Sequence, residues 1–577
     1  MKTQTLNTHK IACLISLLLM LGCSDKKATD STPSTDEPDS SDIDEPDSGT
    51  SDEPTNTAMV FELDPVSTPT PTAVELKWIA DDADGKLTSE LDEAGIRKIK
   101  IVSCVDEGAT MSSRGFEDVR ICTLKQLADK DELGSFMYDD WQDEVKGLYN
   151  PSNVHAEVSA YYHVQKVYEF VTSPQIGVFD RLPGRHEVDS KKVPLTVVVN
   201  YQLPTPADAS SLEPVDVAFF ATHESLEMGM SFFQGLEGIH GDVIAFGQGE
   251  HADFAYAGAT IYHEFGHAVV NSLASIGHEH ADEYGITNMA RALNEGLANT
   301  FAFLVSEKKT MGEYLTQASG FDFTFDSDDD SVFPRDLKGS PVSDGYPIMG
   351  ANYEIMELMK SEGFTRYDFT SLMLLTLDDM VTVDERATFA QYCEGFLSTM
   401  ESEGFGRLTA AADRVFEGRG LFTKIRAKDI SDYQAQDSNI LYVGGAIYAP
   451  WNTSIMIQDG DQWTTLSTAY VQTFVTTSVG DEAIELSASL VETRSSMFEV
   501  KDDWDLRVYL REGAPIIFDY NNDVATVQFD REIAPVIEGS EARWTIDGLN
   551  EQSTYYMLFV NLGDSPVWMS QMNVERQ

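Results

Sequence analysis

Ile261-Tyr262-His263-Glu264-Phe265-Gly266-His267-Ala268-Val269-Val270, near the middle of the chain, is an apolar run that carries two histidines and one glutamate. On an α-helix His263 and His267 are one turn apart and project from the same face, so both imidazoles can reach one zinc ion. Glu264 lies at the edge of that face, where it can take a proton from a metal-bound water without being a ligand. The run therefore predicts a zinc site on a helix whose opposite, apolar face is buried.

The third ligand decides which class of zinc site this is. Val270 and Leu273 occupy the positions where a metzincin has glycine and histidine, which excludes that class. Asp282 is an alternative, although the residues around it do not have the spacing of an aspartate-liganded zincin. Glu295 fits best, because it lies on a second helical run with Asn299 one turn further along the same face. Asn299 is then expected to accept a hydrogen bond from the outer nitrogen of a zinc histidine.

The order His263-Glu264-x-x-His267, then Asn294-Glu295, then Asn299 resembles the gluzincin metallopeptidases of the thermolysin and fungalysin type. The resemblance covers roughly residues 150–427 and implies an α+β fold with a thermolysin-like zincin catalytic domain. It also implies zinc-dependent hydrolysis of protein or peptide substrates, with Glu264 activating a zinc-bound water.

Three further segments resemble parts of the same enzymes. Residues 159–170 resemble a helix that precedes the metal site, and residues 195–201 resemble a strand of the N-terminal sheet. Residues 243–249 resemble the edge strand that lines the cleft, where free backbone groups can pair with an extended substrate.

The chain departs from the family in two places. Thermolysin-like enzymes have a downstream histidine that stabilises the oxyanion, whereas the last histidine here is His280. Tyr346 falls near the expected position and a phenol can donate a hydrogen bond to an oxyanion, with Tyr353 as a second candidate. Small residues at 257–259 replace a calcium-binding aspartate, which argues against that calcium site.

The flanking regions are predicted from their patterns to be rich in β-strands. Residues 58–148 are expected to form a small N-terminal module, residues 149–427 the zincin domain and residues 428–577 a C-terminal β-sandwich. Cys104 and Cys122 flank a polar loop, and export would allow a disulfide between them, leaving Cys393 unpaired.

The N-terminus indicates export. A basic start and a short apolar run end at Cys23, which resembles the cleavage site of a bacterial lipoprotein, so residues 1–23 are predicted to be a lipoprotein signal peptide. Residues 24–57 repeat acidic and proline-containing segments and are predicted to be a disordered linker. We expect a cell-envelope protein held in the outer membrane by its N-terminal lipid, or a secreted one if Cys23 is not modified.

The composition of the chain limits the classes of partner that it is expected to bind. The chain has 577 residues and a net charge of -56, so it repels phosphate backbones and a nucleic-acid partner is not expected. No pattern in the sequence fixes an oligomeric state.

The main hypothesis is thus a zinc endopeptidase acting outside the cytoplasm. The rival is a catalytically inactive zincin-fold lipoprotein with a binding or adhesion role, and an aminopeptidase is less favoured because no motif for holding a substrate amine is present. A second polar cluster, made of His278, Glu279, His280, Asp282 and Glu283, is predicted to be a surface insertion beside the cleft.

Overall fold

The computed structural model describes residues 56–577 with gaps. The longest gaps are 142–149, 179–185, 228–235, 444–454 and 493–503. The predicted signal peptide, Cys23 and most of the linker lie outside the described residues. Helix and strand occur in equal shares of 32% each, which confirms the α+β class at that level. Within the described part, no helix combines the length and the apolarity needed to cross a bilayer.

The N-terminal region consists of short strands around one long buried helix. Its elements are β1 (Thr57–Val60), β2 (Thr72–Glu75), β3 (Lys100–Val105), β4 (Thr110–Ser113), β5 (Phe116–Arg120), β6 (Thr123–Lys125), α1 (His155–Val171), β7 (His186–Val188), β8 (Lys191–Val193), β9 (Thr196–Pro204), β10 (Leu212–Pro214), β11 (Ala218–Ala221), α2 (His223–Glu227) and β12 (Val243–Gly247).

Six of these strands form one mixed sheet in the order β11-β12-β9-β3-β6, with β10 also paired to β9. Strands β12 and β3 both run parallel to β9, which is buried over most of its length as expected for a strand inside a parallel sheet. The prediction that residues 243–249 form the edge strand is wrong. Because β12 lies between β11 and β9, the edge strand on that side is β11.

The predicted β-rich module at residues 58–148 shares a sheet with the region that follows it. Strand β3 from that module lies between β9 and β6 in this sheet. Glu157 on α1 reinforces the junction, since its buried carboxylate accepts hydrogen bonds from Ser103 Oγ and from the backbone N–H groups of Leu127 and Ala128. The structure contains the disulfide between Cys104 and Cys122, and Cys393 is a buried free thiol.

Helices dominate the middle of the chain. After a 3-10 turn, η1 (Phe254–Tyr256), the elements are α3 (Gly258–Ala274), β13 (His280–Asp282), β14 (Gly285–Thr287), α4 (Met289–Ser306), β15 (Thr310–Met311), α5 (Glu313–Ser319), β16 (Phe325–Asp326), α6 (Pro341–Asp344), α7 (Tyr346–Ser361), α8 (Arg366–Asp379), α9 (Phe389–Ser402) and α10 (Gly406–Gly418).

Helices α3 and α4 pack closely because small residues lie where they meet. A Cβ at Gly266 of α3 would lie 2.9 Å from Ala298 Cα and 3.0 Å from Phe301 Cβ on α4. A second close approach joins α4 to the start of α7, where a Cβ at Gly296 would lie 2.5 Å from the carbonyl oxygen of Gly345. These glycines set the distances between the three elements that carry the predicted site.

The C-terminal region is made of strands alone in its described part. They are β17 (Ala427–Asp429), β18 (Ile440–Val443), β19 (Ile455–Asp459), β20 (Gln462–Thr468), β21 (Gln472–Thr476), β22 (Ala483–Glu492), β23 (Leu506–Glu512), β24 (Ile517–Asn521), β25 (Val524–Gln528), β26 (Arg531–Ile533), β27 (Val536–Glu538), β28 (Glu541–Asp547), β29 (Thr554–Asn561) and β30 (Val567–Arg576).

These strands form two sheets, which we call together the C-terminal β domain (residues 427–577). One sheet has nine strands and includes β29, and the other runs β18-β30-β22-β28-β27. Alternate residues of β28 point inward, and buried Trp544 on β28 meets Phe559 on β29 edge to face. Buried apolar residues continue without a break from this domain into the helical region, so the two share one core.

Candidate metal centre

His263 and His267 lie on the buried helix α3, one turn apart as their spacing predicts. Their Nε2 atoms are 3.1 Å apart, and the two rings meet nearly at right angles. His263 is buried and His267 is nearly so, hence neither imidazole is a solvated surface group. The fold therefore directs both inner nitrogens to one point.

Glu295 on α4 brings a carboxylate to the same point. Its Oε2 atom lies 3.3 Å from His263 Nε2 and 3.7 Å from His267 Nε2. The same oxygen is buried and receives no hydrogen bond from any described residue. Three potential ligand atoms on two helices thus converge, as the sequence predicts.

Two asparagines of α4 fix the histidine rings by hydrogen bonding to their outer nitrogens, Nδ1. Asn299 Oδ1 lies 2.8 Å from His263 Nδ1, and Asn294 Oδ1 lies 2.7 Å from His267 Nδ1. The orientation of Asn294 is set by its Nδ2 atom, which donates to the carbonyl of Ile276. An amide oxygen only accepts, so each Nδ1 carries the proton and each Nε2 presents its lone pair inward.

This arrangement fits a divalent cation. Two imidazole lone pairs and a carboxylate oxygen face one another without a proton donor among them, which is repulsive unless a positive charge lies between them. Two histidines and one carboxylate are also the protein ligands of many catalytic zinc sites, which leave a fourth position open.

The pKa values of the site follow from burial and mutual charge. Burial lowers the pKa of His267 to about 4 despite the opposing charge of Glu295, so this imidazole is neutral. Burial also lowers the pKa of His263, but the negative charges of Glu264 and Glu295 outweigh it and raise the pKa overall. For Glu295 burial opposes ionisation, yet the two histidines bring its pKa down to about 2, so the carboxylate is charged.

Glu264 lies beside the three converging atoms. Burial, with the charge of Glu295 adding to it, raises the pKa of Glu264 to about 7, against the effect of His263. The backbone N–H of Phe220 on β11 donates to this carboxylate, and the Phe220 ring stacks on His267. A buried acid with a pKa near neutrality can both accept and return a proton.

Strand β11 runs along the site and pairs on one side with β12. The N–H of Gly247 on β12 donates to the carbonyl of Val217, so in this antiparallel pair the backbone groups of Ala218 and Phe220 point away from β12. Of these outward groups, the N–H of Phe220 is the one that donates to Glu264. Among the described strands none pairs with this outer side of β11.

A cavity of about 200 Å³ opens next to His263 and Glu264. Its walls include the aromatic residues Phe254, Phe323 and Phe325 and the small residues of α6. Tyr346 at the start of α7 lines the same cavity, while Tyr353 stacks edge to face on Phe303 and does not line it. Of the two tyrosines considered for the oxyanion, only Tyr346 is near the site.

Asp282, the alternative third ligand, is engaged elsewhere. Both of its carboxylate oxygens bind the guanidinium of Arg426, at 2.5 and 2.9 Å. The predicted surface insertion is also wrong for its described part, because His280–Asp282 and Gly285–Thr287 form a hairpin packed on the C-terminal β domain. His278 and Glu279 lie outside the described residues.

Two neighbours of the site have no role in the sequence-based prediction. Asn294, named there only as part of the Asn294-Glu295 motif, supports the second histidine; its position directly before Glu295 was a usable signal. Phe220 gave no such signal, because its contact with His267 depends on β11 pairing outside β12.

No protein-family model matches this chain, and no curated protein is similar enough in sequence to count as a relative.

Proposed function

We propose that this protein is a zinc-dependent endopeptidase with a gluzincin-type site in a thermolysin-like zincin domain. The observation that carries the proposal is the convergence of His263 Nε2, His267 Nε2 and an unpaired Glu295 oxygen within 3.7 Å of one another. A buried carboxylate and a cavity adjoin the same point, which a purely structural metal site does not need.

His263, His267 and Glu295 would hold the zinc. Bound zinc supplies a Lewis acid that polarises a carbonyl oxygen and lowers the pKa of water. Glu264 takes the proton of the attacking water and gives it to the departing amine, a double task that its pKa of about 7 suits. Tyr346, which lines the same cavity, would donate a hydrogen bond from its phenol to the oxyanion.

Strand β11 suggests how a peptide binds. An extended substrate adds to the outer side of β11 through the backbone groups of Ala218 and the carbonyl of Phe220, whose N–H stays on Glu264, so the substrate passes beside Glu264. One substrate side chain then enters the cavity beside Phe254. This binding requires no free amino terminus, which favours an endopeptidase over an aminopeptidase.

The proposed compartment is outside the cytoplasm. The disulfide between Cys104 and Cys122 supports it, because such bonds persist in oxidising compartments. The lipid at Cys23 and an outer-membrane position follow from the sequence pattern alone.

The proposal is tested by comparing the full chain with its Glu264→Gln variant for zinc content and for cleavage of unfolded casein. We expect both proteins to hold zinc, and the variant to lose at least a thousandfold in kcat because its amide cannot accept a proton. Glu357→Gln on the exposed face of α7 is the matched control and should keep full activity.

Zinc retained in the wild type without cleavage of any protein or peptide would favour the binding or adhesion role instead. Full activity in Glu264→Gln would refute the assigned base.

A further inference from the structure

We propose that the C-terminal β domain is a positioning element of the metal centre, acting on two segments that adjoin the site through its own Lys428 and through Arg426, the residue directly before the domain. The first is the hairpin β13–β14, which joins the two ligand-bearing helices, and the second is the loop 336–345, which leads into α7 and Tyr346. This inference rests on the proposed function and assigns to that function residues more than 100 positions away from the ligands in the sequence.

Arg426 holds the hairpin through a two-point ion pair. Its guanidinium binds both oxygens of Asp282, and its Nε donates to the carbonyl of Tyr470 in the C-terminal β domain. The Arg426 side chain is only 5% exposed and that of Asp282 is 25% exposed, so the pair is shielded from water. A planar, two-point contact of this kind fixes orientation as well as distance.

Three strands of the C-terminal β domain bind the turn of the hairpin. Thr468 Oγ1 accepts from the N–H of Ile286 at 2.9 Å, and Gln472 Nε2 donates to the carbonyl of Tyr284 at 3.2 Å. The N–H of Phe518 donates to the carbonyl of Glu283 at 2.9 Å. Gly285 permits this approach, because its φ is +106° and a Cβ there would lie 3.0 Å from Thr468 Oγ1.

Lys428 holds the second segment. It lies two residues after Arg426 on β17, and its ammonium donates to the carbonyl of Leu337. The carboxylate of Asp344 stabilises the same loop, because it accepts hydrogen bonds from the N–H groups of Lys338 and Gly339. Asp344 also contacts Asn288, the residue that precedes α4, so the loop is tied to the helix that carries Glu295.

The two contacts bear on the metal centre for a geometric reason. The hairpin is the covalent link from α3 to α4, and Glu295 lies six residues after the start of α4 at Met289. A shift of the hairpin therefore slides the carboxylate relative to the imidazoles, and metal ligands tolerate errors of only about 0.2 Å. The loop contributes Ser340, Val342 and Ser343 to the cavity wall, so its displacement changes the substrate pocket instead.

The experiment measures zinc affinity by competition with a chelator, together with kcat and KM on a short peptide, for full-chain variants. We expect Arg426→Gln and Asp282→Asn each to weaken zinc binding at least tenfold and to lower kcat, and the double variant to be no worse than either single one. We expect Lys428→Met mainly to raise KM, with zinc affinity within threefold of the wild type. If Arg426 and Lys428 only stabilised the fold, their variants would not differ in this way, with zinc affinity lowered in one and KM raised in the other.

Thr468→Ala provides a milder variant, since it removes one hydroxyl and should weaken zinc binding about threefold even if Arg426→Gln fails to fold. Arg543→Gln, which breaks an exposed ion pair with Glu541 in the same domain, is the matched control and should change nothing. The inference would be overturned if Asp282→Asn and Thr468→Ala folded and kept the zinc affinity and kcat of the wild type. If Glu264→Gln were inactive in the same experiment, the proposed function would still stand. A wild type that binds no zinc would overturn both.

Discussion

At the scale of single residues, two amides hold the histidines of the proposed metal site in the orientation that metal binding needs. Asn294 and Asn299 hold the outer nitrogens of His267 and His263, so the inner nitrogens keep their lone pairs. Without these amides either ring could rotate or change tautomer, and its lone pair would no longer point at Glu295. The site thus depends on the hydrogen bonds to the outer histidine nitrogens as much as on the ligands themselves.

Replacing Asn294 by alanine tests this point. We expect Asn294→Ala to weaken zinc binding by about 10- to 100-fold, because His267 loses the acceptor that fixes its ring. The measurement is zinc competition with a fluorescent chelator. Asn573→Ala, whose side chain contacts Glu575 at the surface, is the control and should bind zinc as the wild type does; equal affinity in both variants would argue against the assigned support.

A buried histidine away from the site contributes to the loss of stability in acid. His155 on α1 is fully buried, meets Phe61 and Tyr256 edge to face, and burial lowers its pKa to about 3. Because the pKa is near 6.5 in the unfolded chain, the unfolded state binds more protons than the folded state between these values. This histidine therefore stabilises the fold fully above about pH 6.5, and that contribution falls as the pH drops toward 3 by about 1.4 kcal/mol per unit.

His155→Phe should remove this contribution to the acid response. Thermal unfolding followed from pH 7.5 to pH 4.5 should show a shallower loss of Tm in the variant, while the two curves run parallel above pH 7. Curves that fall equally steeply on the acid side would contradict the role given to His155.

The sequence was informative about the ligands for a physical reason. The spacing of His263 and His267 forces one helical face whatever the rest of the chain does, and Glu295 shares its face with Asn299 on a run that is helical by its own pattern. Phe220 could not be predicted, because its place depends on which strand forms the sheet edge. Asp282 was likewise open until its partner Arg426, 144 residues away, was known.

At the scale of secondary-structure elements, the approach of α3 to α4 sets the distance between the histidines and Glu295. Gly266 lies between the two histidines, and the backbone of Ala298 occupies the space that a side chain would need. The helices thus meet where the ligands are, and a small separation there moves Glu295 away from both rings.

Gly266→Ala should destabilise the protein by about 1–3 kcal/mol and weaken zinc binding, although alanine is the better helix former. Chemical unfolding and zinc competition measure the two effects. Gly418→Ala at the end of α10 has nothing within 4 Å of the added Cβ and should be neutral or slightly stabilising. If both variants behaved alike, the close approach would not be what fixes the site.

Element order was harder to predict than element type. The apolar runs near residues 100 and 196 predicted strands, and both are present as β3 and β9. Their parallel pairing joins residues 96 positions apart, such as Lys100 and Thr196, which a local pattern does not encode. The same limit explains why the sequence does not reveal that β12 is an interior strand.

At the scale of the whole molecule, the N-terminal and C-terminal regions both pack against the region that carries the proposed site. Strand β3 is an interior strand of the sheet beside that site, so we expect residues 58–148 to stay in the mature protein rather than to be removed as a prosegment. A chain that begins at residue 149 would leave β9 without its neighbour and Glu157 without its partners.

N-terminal sequencing of the active, purified protein should find residues 58–148 still present. Expression of residues 149–577 alone should give protein without a cooperative thermal transition. A stable, active protein that starts near residue 149 would contradict this view.

The central claim is that three side chains on two helices form one zinc site, and zinc stoichiometry tests it most directly. Full-length protein dialysed against metal-free buffer and analysed by plasma mass spectrometry should retain about one zinc per chain. Glu295→Gln should retain less than a tenth of that amount, whereas the surface variant Glu357→Gln should match the wild type. A wild type without zinc, or a Glu295→Gln variant that keeps its full complement, would contradict the claim.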